Sequence, residues 1–251
     1  MNEYRILTHD TTSASYKLLC TALGARGIRP DASEYRYQEG DILINWGVYG
    51  GRPYPMHVNS PAGVRICTSK TKSYRAFADA GVPTVKHTTS RSIAEGWLSR
   101  EYKVYARGDD SGCRGQGIKV VSSRTEFPSD ALFYTRGFPI AREFRVYVWR
   151  DIILSTFEKK KPLGVELDDD VRACDDWLYC RNNLDPYPSG MLISCLAACK
   201  SLGLDFVGVD VALDSNDNIC VFECNSAPWL SSKVAGQLAA QIKKAYPIDP
   251  Q

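Results

Sequence analysis

The spacing of apolar residues in the first fifty positions changes from strand-like to helix-like and back. The run YRILT (4–8) is a short apolar strand, and SASYKLLCTALGARG (13–27) has helical periodicity. Ser13 or a preceding threonine can cap this helix, and Gly27 is its expected stop. DILINWG (41–47) is the next apolar run. A strand, a helix and a strand in this order predict a small βαβ unit with a parallel pair of strands.

The turn-rich segment YGGRPYPMHVNSP (49–61) follows and marks the first candidate domain boundary. Beyond it, strand-like and helix-like stretches follow each other, and two pairs of strand-like runs are joined by tight turns, which predicts two hairpins. The segment LGVELDDDVRACDDW (163–177) has little periodicity and is expected to be exposed and mobile. The predicted helices are 68–83, 190–203 and 231–247, and the predicted strands are 103–107, 118–123, 143–149, 151–159, 205–213 and 218–224.

The last predicted strand ends in two oxygen-bearing side chains. Because residues two apart in a strand point to the same face, Glu223 and Asn225 are expected to share a face with Val221. The opposite face would carry Cys220, Phe222 and Cys224. This arrangement offers one face to a core and places two oxygens near each other where the strand runs out into a loop.

Asp210 lies in the partner strand of this hairpin, between two valines that can face the core. It can therefore meet Glu223 and Asn225 on one surface. Three oxygen ligands, two of them anionic, suit Mg²⁺. The competing interpretation is a half-buried hairpin whose solvated face carries two unrelated acids.

A glycine-rich loop, RGDDSGCRGQGIKVV (107–121), joins two predicted strands. Its glycines would let the backbone approach an anion and present N–H groups to it. Arg107 and Lys119 flank the loop and could add positive charge. The pattern matches neither the P-loop nor the dinucleotide fingerprint, so an ordinary turn is the alternative interpretation. The glycines concerned are Gly112, Gly115 and Gly117.

The strand AREFRVYVW (141–149) alternates strictly and carries an arginine, Arg145, at its centre. Such a residue is costly to bury without an anionic partner. Glu143 on the same face is one candidate partner. A substrate phosphate or carboxylate, which guanidinium binds through two hydrogen bonds, is the other. The basic run FEKKKP (157–162) ends the neighbouring strand, so one of its lysines could reach the same site, although such runs are usually solvated.

Composition narrows the classes of function. The 251 residues suffice for one large domain or two small ones. A formal net charge of +2 does not indicate a nucleic-acid or membrane partner. No apolar run approaches the length of a membrane span, and the N-terminus has no signal-peptide pattern. The nine cysteines are scattered without a CxxC pair, which favours reduced thiols in a cytoplasmic compartment over a zinc site.

Taken in order, these motifs resemble the ATP-grasp superfamily, and within it the short forms common among phage-encoded and RimK-like ligases. The resemblance covers roughly residues 40–232. Each motif is loose by itself, and their common order is specific. The motifs are NWG (45–47), VNSPAGVRICTSKTKSYRAFADAGVP (58–83), VYARGDDSGCRGQGIKVV (104–121), ALFYTRGFP (131–139), REFRVYV (142–148) and GLDFVGVDVALDSNDNICVFECNSAPWL (203–230).

The resemblance implies a role for each candidate residue. Asp210, Glu223 and Asn225 fall on the family's three metal-ligand positions, where Mg²⁺ or, in its place, Mn²⁺ would bind. Arg145 and Lys159 would be catalytic, with Arg145 stabilising an acyl phosphate. The implied contacts to ATP come from Lys70, Arg107, Ser111, Gly112, Gly115, Gly117, Lys119 and Glu143, and from the interdomain hinge near Tyr134 and Thr135.

The chain departs from the family pattern in three places, the first of which is an N-terminal domain that is small for the family. The phosphate loop carries Asp109 and Asp110, which would repel phosphate unless they point outward. Trp229 stands where a glycine is often found. These departures leave the metal–phosphate arrangement intact and put the identity of the substrate in doubt.

The implied architecture is an α/β protein in which two α+β lobes hold ATP. A small N-terminal βαβ domain would cover residues 1–58 and the ATP-grasp body residues 59–251. Within the body, a central lobe with the glycine-rich loop would span about 59–132, and a C-terminal lobe with the metal site would span 133–251.

The implied reaction joins a carboxylate to an amine, on small-molecule or peptide substrates. ATP would phosphorylate the carboxylate, and the amine would displace phosphate, so that ADP and phosphate are released. A non-catalytic nucleotide-binding module and a kinase-like phosphotransferase on the same fold are the alternatives. The sequence leaves open whether the protein is a monomer or a homodimer.

Overall fold

The computed structural model of the chain describes residues 2–31, 34–111, 117–162, 178–180 and 187–248. Within these ranges the helices are α1 (Ala14–Leu23), α2 (Pro61–Thr68), α3 (Lys70–Asp79), α4 (Arg91–Leu98), α5 (Ser189–Ser201) and α6 (Ser232–Ala245). The strands are β1 (Tyr4–Leu7), β2 (Arg26–Ile28), β3 (Ile42–Asn45), β4 (His87–Thr88), β5 (Val104–Arg107), β6 (Ile118–Val121), β7 (Phe133–Arg136), β8 (Arg142–Trp149), β9 (Ile152–Lys160), β10 (Leu178–Cys180), β11 (Phe206–Leu213) and β12 (Ile219–Asn225).

The strands form three sheets. A small parallel sheet has the order β2-β1-β3. An antiparallel sheet has the order β4-β7-β5-β6, and a larger antiparallel sheet has the order β10-β9-β8-β11-β12. Both predicted hairpins are present, as β8–β9 and β11–β12. The mixture of a parallel N-terminal unit and two antiparallel lobes agrees with the predicted fold class.

The N-terminal unit contains the predicted parallel pair, β1 with β3, but its helix ends earlier than predicted. Gly24, at φ 71°, is the left-handed residue that terminates α1. The chain then turns directly into β2, which was missed because so short a strand has no readable alternation. Gly27 lies in β2, where the Tyr16 hydroxyl would be only 1.9 Å from a Cβ. Close packing therefore explains this glycine, and the prediction that it stops the helix was wrong.

The N-terminal unit shares its core with the C-terminal lobe. Helix α1 packs against α6, and residues of β1, α1 and β3 form one buried cluster with β8, β11 and α6. Within this cluster the rings of Trp46 and Phe206 stack with their centroids 5.9 Å apart. Val58 is buried in the same cluster. The division predicted after residue 58 thus falls between chain segments that are held together by one hydrophobic core.

Helix α3 is the helix predicted over 68–83, whereas α2, which precedes it, was not predicted. Ser60 caps α2, with Pro61 in the first turn. Ser69 has extended backbone and caps α3 by accepting a hydrogen bond from the N–H of Lys72. The extended backbone of Ser69 cannot continue α2, so this serine ends α2 and begins α3.

Strand β7 belongs to the sheet of the central lobe. It pairs with β4 and β5, so that this sheet continues through Arg136, past the predicted division between the lobes at 132/133. The chain then crosses through 137–141 into β8. The face of β8 that carries Phe144 and Val146 packs in the buried cluster of α5.

Three further predictions concern the cysteines, membrane-spanning helices and the segment 163–177. Every cysteine in the described ranges is a free thiol, as the scattered spacing predicted. Among the described helices, none has the length and apolar run that a membrane crossing requires. The segment predicted to be exposed and mobile, 163–177, lies outside the described residues.

Asn59 ties the start of α2 to β11 and gives a test of this architecture. Its Oδ1 accepts hydrogen bonds from the N–H groups of Asp205 and Phe206, and its Nδ2 donates to the Phe206 carbonyl, each at 2.9 Å. The residue is buried and has a φ of 59°. We expect Asn59→Ala to lower the free energy of unfolding by about 3 kcal/mol, because buried backbone groups lose their partners and alanine tolerates this backbone poorly.

Urea unfolding measures this loss. Asn216→Ala is the matched control, because Asn216 lies in an exposed turn, and it should cost less than about 0.5 kcal/mol. A loss below about 1 kcal/mol for Asn59→Ala would mean that this residue does not hold α2 to β11.

Candidate functional site

The end of the β11–β12 hairpin brings together the three side chains that were predicted to bind a metal. Asp210 and Glu223 are directly opposite each other, and Asn225 lies opposite Gly208. The Asn225 Nδ2 atom is 3.2 Å from Glu223 Oε1 and 3.4 Å from Asp210 Oδ2. Because cross-strand partners share a face, the three side chains form one cluster of oxygen atoms.

A bulge in β12 corrects one part of the prediction. Asp210 pairs with Glu223, but its neighbour Val211 pairs with Val221, which leaves Phe222 as an extra residue. Val221 therefore lies in the core with Val211. Strict alternation had placed Val221 beside Glu223, and that placement was wrong because the bulge reverses the alternation between the two residues.

Arg145 is buried and forms a two-pronged ion pair with Asp210. Its Nε atom is 2.6 Å from Asp210 Oδ1 and its Nη2 atom is 2.5 Å from Oδ2. Burial raises the pKa of Asp210 to about 6, and the charge of Arg145 opposes this rise. Asp210, one of the three predicted metal ligands, is thus also the anionic partner of Arg145. Glu143, the partner considered from the sequence, does not fill that role.

Glu143 pairs instead with Lys159. The two residues are opposite each other on β8 and β9, both are buried, and Lys159 Nζ is 3.0 Å from Glu143 Oε1. Lys159 is therefore the lysine of the basic run that reaches this face of the sheet. Its neighbour Lys160 lies 3.5 Å from Glu158 on the opposite face. The catalytic pair predicted from the sequence, Arg145 and Lys159, thus lies on one face, and each member is held by an acid.

Lys70 begins α3 and reaches the oxygen cluster from the other side. Its Nζ atom is 3.0 Å from Glu223 Oε2. Burial alone would raise the pKa of Glu223, but the charge of Lys70 and hydrogen bonds from Lys70 and Asn225 lower it to about 2. Glu223 is therefore an anion at neutral pH, and the ammonium group of Lys70 already pairs with it.

The described ends of the glycine-rich loop close into a turn. The N–H of Gly108 donates to the carbonyl of Gly117 at 2.9 Å. Gly117 has a φ of 70°, which glycine adopts without strain. The two other glycines of the prediction, Gly112 and Gly115, lie outside the described residues.

The two acids of this loop are held by donors of the protein itself. Asp109 Oδ1 accepts hydrogen bonds from the N–H of Ser111 at 2.7 Å and from its hydroxyl at 2.9 Å. Asp110 Oδ1 accepts from the N–H of Thr71 at 2.8 Å, and Asp110 Oδ2 accepts from the hydroxyl of Ser69. Burial by itself would raise the pKa of Asp110, but these hydrogen bonds lower it. The charges that counted against a phosphate site are thus engaged by protein donors.

The remaining predicted nucleotide contacts lie in the sheet of the central lobe. Arg107 ends β5, with its Nε atom 3.4 Å from Thr135 Oγ1, and Lys119 is exposed on β6. Tyr134 and Thr135 are buried in β7, where the backbone pairs with β4 on one side and β5 on the other. Their positions define where the chain leaves this lobe, through the crossover 137–141.

A cavity of about 240 Å³ lies where the N-terminal unit, α3, the glycine-rich loop and the end of β12 meet. Gly47 permits this approach, since a Cβ there would be 3.0 Å from the Cβ of Ala227. The lining includes four predicted residues, Lys70, Ser111, Glu223 and Asn225, and two that were not predicted, Tyr74 and Phe222. Tyr74 and Phe222 read in the sequence as packing residues, and only the fold shows that they face the site.

An aromatic residue outside the predicted set, Tyr179, covers Arg145 and is itself stacked on Trp229. The ring of Tyr179 lies 5.4 Å from the guanidinium of Arg145 and stacks on the ring of Trp229, with centroids 6.1 Å apart. The Trp229 carbonyl accepts a hydrogen bond from the Tyr147 hydroxyl at 2.6 Å, and half of Trp229 is exposed. Trp229 stood out in the sequence by its position, whereas Tyr179 lies in a short strand with no local signal.

Solved structures with a similar fold include ATP-grasp ligases. The ATP-grasp ligase PsnB, complexed with a minimal precursor, matches with a TM-score of 0.72 and 12% identity, over 97% of this chain and 99% of that chain. The D-alanine–D-alanine ligase of Bacillus anthracis matches with a TM-score of 0.66 and 13% identity, over 98% and 99%. This chain has the ATP-grasp fold. The macrocyclase MdnC of Microcystis aeruginosa, bound to its precursor peptide MdnA, has a TM-score of 0.64 and 13% identity, over 98% and 99%.

The likeness is structural and not one of sequence, since no family model and no curated protein matches this chain. The ATP-grasp fold accounts for the two antiparallel sheets and the N-terminal unit before them. Among the described residues, no group of three or more His, Cys, Asp or Glu is arranged to hold a metal. A cation between Asp210 and Glu223 would therefore need the neutral Asn225 and ligands from a bound substrate.

The Arg145–Asp210 pair can be tested through stability. Arg145→Met should lower the free energy of unfolding by about 3–5 kcal/mol, because it leaves the Asp210 carboxylate buried without its cation. The double variant Arg145→Met/Asp210→Leu should recover most of this loss, because both charges are gone. Urea unfolding of the two single variants and the double variant gives the coupling energy.

The control is the exposed pair of Arg91 and Glu95, one helical turn apart at 2.8 Å. Arg91→Met should cost less than about 1 kcal/mol. If Arg145→Met costs no more than Arg91→Met, the buried pair does not organise the site.

Proposed function

We propose that this protein is an ATP-dependent carboxylate–amine ligase. The observation that carries the proposal is the face of the large sheet on which Asp210, Glu223 and Asn225 meet, with Arg145 on one side and Lys70 on the other. Two acids and an amide flanked by two cations suit a metal ion together with phosphate groups. The names of the structural neighbours, PsnB and D-alanine–D-alanine ligase, support a ligase over other chemistry on this fold.

The donor set fits a magnesium ion. Asp210 and Glu223 supply anionic oxygens, Asn225 can turn its amide oxygen to the same point, and the carboxylates keep free lone pairs beside their bonds to Arg145 and Lys70. When bound, the ion would neutralise charge on the terminal phosphates of ATP. One neighbouring PsnB structure contains Mg and ADP, which supports this choice, and Mn²⁺ is proposed as a substitute.

The chain's own residues would position the nucleotide. Lys70 and Arg107 would bind phosphate oxygens, each from a fixed helix or strand end. The other proposed phosphate contacts are Ser111, Gly112, Gly115, Gly117 and Lys119. The base would lie at the hinge near Tyr134 and Thr135, at the end of β7 where the chain leaves this sheet.

The proposed reaction has two steps. A carboxylate oxygen of the substrate bonds to the γ-phosphorus of ATP, and the bond from this phosphorus to the leaving ADP oxygen breaks. The nitrogen of the amine then attacks the acyl carbon, phosphate leaves, and the nitrogen loses a proton. Arg145 would stabilise charge on the acyl phosphate, and the buried pair of Glu143 and Lys159 would hold a second cation beside it.

The substrate class proposed first is a peptide carboxylate. The structures of PsnB and MdnC are complexes with a precursor peptide. A third structural neighbour, D-alanine–D-alanine ligase, is named for a small-molecule substrate. Within this fold, the resemblance of the sequence to the short RimK-like and phage-encoded forms supports a ligase of that type. The free thiols of the described cysteines support a cytoplasmic location.

Hydroxylamine trapping tests the ligase proposal. An acyl phosphate reacts with any small nucleophile that enters an amine site, so hydroxylamine should replace the amine and give a hydroxamate with one ADP released for each. The assay uses Mg-ATP and a panel of amino acids and of peptides ending in or containing Asp and Glu. ADP release without hydroxamate, with a carboxylate that binds, would favour a phosphotransferase. Nucleotide binding with neither product would favour a silent binding module.

Glu223→Gln tests the metal assignment. It should lower kcat for carboxylate-dependent ADP release by at least about 100-fold at saturating Mg²⁺, because one anionic ligand is lost. The fold should survive, since Glu223 lies on the polar face of its strand, and an unchanged unfolding midpoint checks this. Asn225→Ala should have a smaller effect, seen as a higher Mg²⁺ concentration for half-maximal rate. Glu95, a partly buried acid on α4 that does not line the cavity, is changed to Gln as the control and should leave the rate unaltered. Wild-type turnover of Glu223→Gln at limiting Mg²⁺ would refute the assignment.

A further inference from the structure

Asp110, in the glycine-rich loop, binds the first turn of α3 forty residues earlier in the chain. Its Oδ1 accepts from the Thr71 N–H at 2.8 Å, its Oδ2 accepts from the Ser69 hydroxyl, and its backbone carbonyl accepts from the Lys70 N–H at 2.9 Å. Three consecutive residues of the helix start are therefore bound by one residue of the loop. We name this set of contacts the Asp110 latch.

The latch completes a cap that Ser69 makes only in part. The first N–H groups of a helix have no partner within the helix, and Ser69 itself accepts from only one of them, that of Lys72 at 3.3 Å. Asp110 takes the two that precede it. A carboxylate is also the favoured group at this end of a helix, where the backbone dipoles leave positive charge. The start of α3 and the loop thus each depend on the other.

Lys70 is held at both of its ends by this arrangement. Its backbone N–H is bound by Asp110, and its side chain reaches Glu223 Oε2 at 3.0 Å. Lys70, Glu223 and Ser111, the residue after Asp110, line the same cavity. A change at Asp110 would therefore be felt both by the loop and by the cation that lies beside the metal-ligand cluster.

We propose that Asp110 is a positioning residue, which fixes the glycine-rich loop to the start of α3 and places Lys70 for the phosphates of a bound nucleotide. The part of this proposal that concerns the nucleotide rests on the proposed function. The part that concerns the latch does not, because the contacts are present in the protein without ligand.

The proposal reverses the simple electrostatic expectation. An acid in a phosphate-binding loop repels phosphate, so removing either Asp109 or Asp110 should tighten nucleotide binding if charge alone matters. Asp109 contacts Ser111 within the loop, whereas Asp110 contacts α3. The two neighbouring acids carry equal charge, and the latch predicts that removing Asp110 weakens nucleotide binding more than removing Asp109.

The first measurement is amide hydrogen exchange by NMR in the ligand-free protein. Asp110→Ala should speed exchange of the Thr71 N–H by at least about 10-fold, because that group loses its acceptor. Asp109→Ala should leave it within about 2-fold of the wild type. Asp110→Asn keeps an acceptor oxygen and should restore most of the protection. Unchanged Thr71 exchange in Asp110→Ala, or an Asn variant no better than the Ala variant, would overturn the latch.

The second measurement is the affinity for Mg-ADP by calorimetry. Asp110→Ala should weaken binding by about 5–10-fold, because the loop and Lys70 are no longer held in place beforehand. Asp109→Ala should weaken binding by less than Asp110→Ala, because the bonds of Asp109 to Ser111 lie within the loop and Lys70 keeps its position. Equal or tighter binding by Asp110→Ala would overturn the positioning role.

The two measurements separate this proposal from the proposed function. A wild-type protein that fails to bind Mg-ADP would refute the proposed function and the nucleotide part of this inference, while Thr71 exchange would still decide the latch. If the ligase is active, Asp110→Ala should raise KM for ATP by a similar factor with less effect on kcat. A merely structural role would instead lower kcat with the fraction of folded protein.

Discussion

The buried ion pair between Arg145 and Asp210 is the constraint on which the rest of the site depends. An arginine in the middle of a sheet is stable there only when an anion neutralises it, and Asp210 supplies that anion through two hydrogen bonds. The pair sets the position of Asp210, and the register of β11 with β12 then sets Glu223 opposite it.

Positive and negative charges alternate along the face that carries these residues. Lys70, Glu223, Asp210 and Arg145 follow one another, so each acid is bound by a cation before any ligand arrives. A metal ion bound by the acids would leave the two cations able to turn to phosphate. Such a site requires that the two lobes keep fixed positions. On the C-terminal side, α1, α6 and β8 share one buried core, in which Trp46 stacks on Phe206.

The sequence predicted the parts of this structure that depend on local periodicity and missed those that depend on long-range register. Strict alternation around Arg145 and the spacing of the two oxygen residues of β12 predicted the right strands and the right face. The bulge at Phe222 was not predictable, because it follows from how Val221 pairs with a residue on another strand. The partners of Arg145 and Glu143 were not predictable either, since they lie on neighbouring strands whose register no local pattern encodes.

The central claim is that this face binds a metal ion and the phosphates of a nucleotide between the two lobes. A crystal structure of the protein with Mn²⁺ and ADP, phased so that the anomalous signal of manganese locates the ion, tests this most directly. We expect an anomalous peak in contact with carboxylate oxygens of Glu223 and Asp210 and with an ADP phosphate. We also expect the Lys70 side chain to turn toward that phosphate. Nucleotide bound elsewhere, or manganese away from these oxygens with ADP in place, would contradict it.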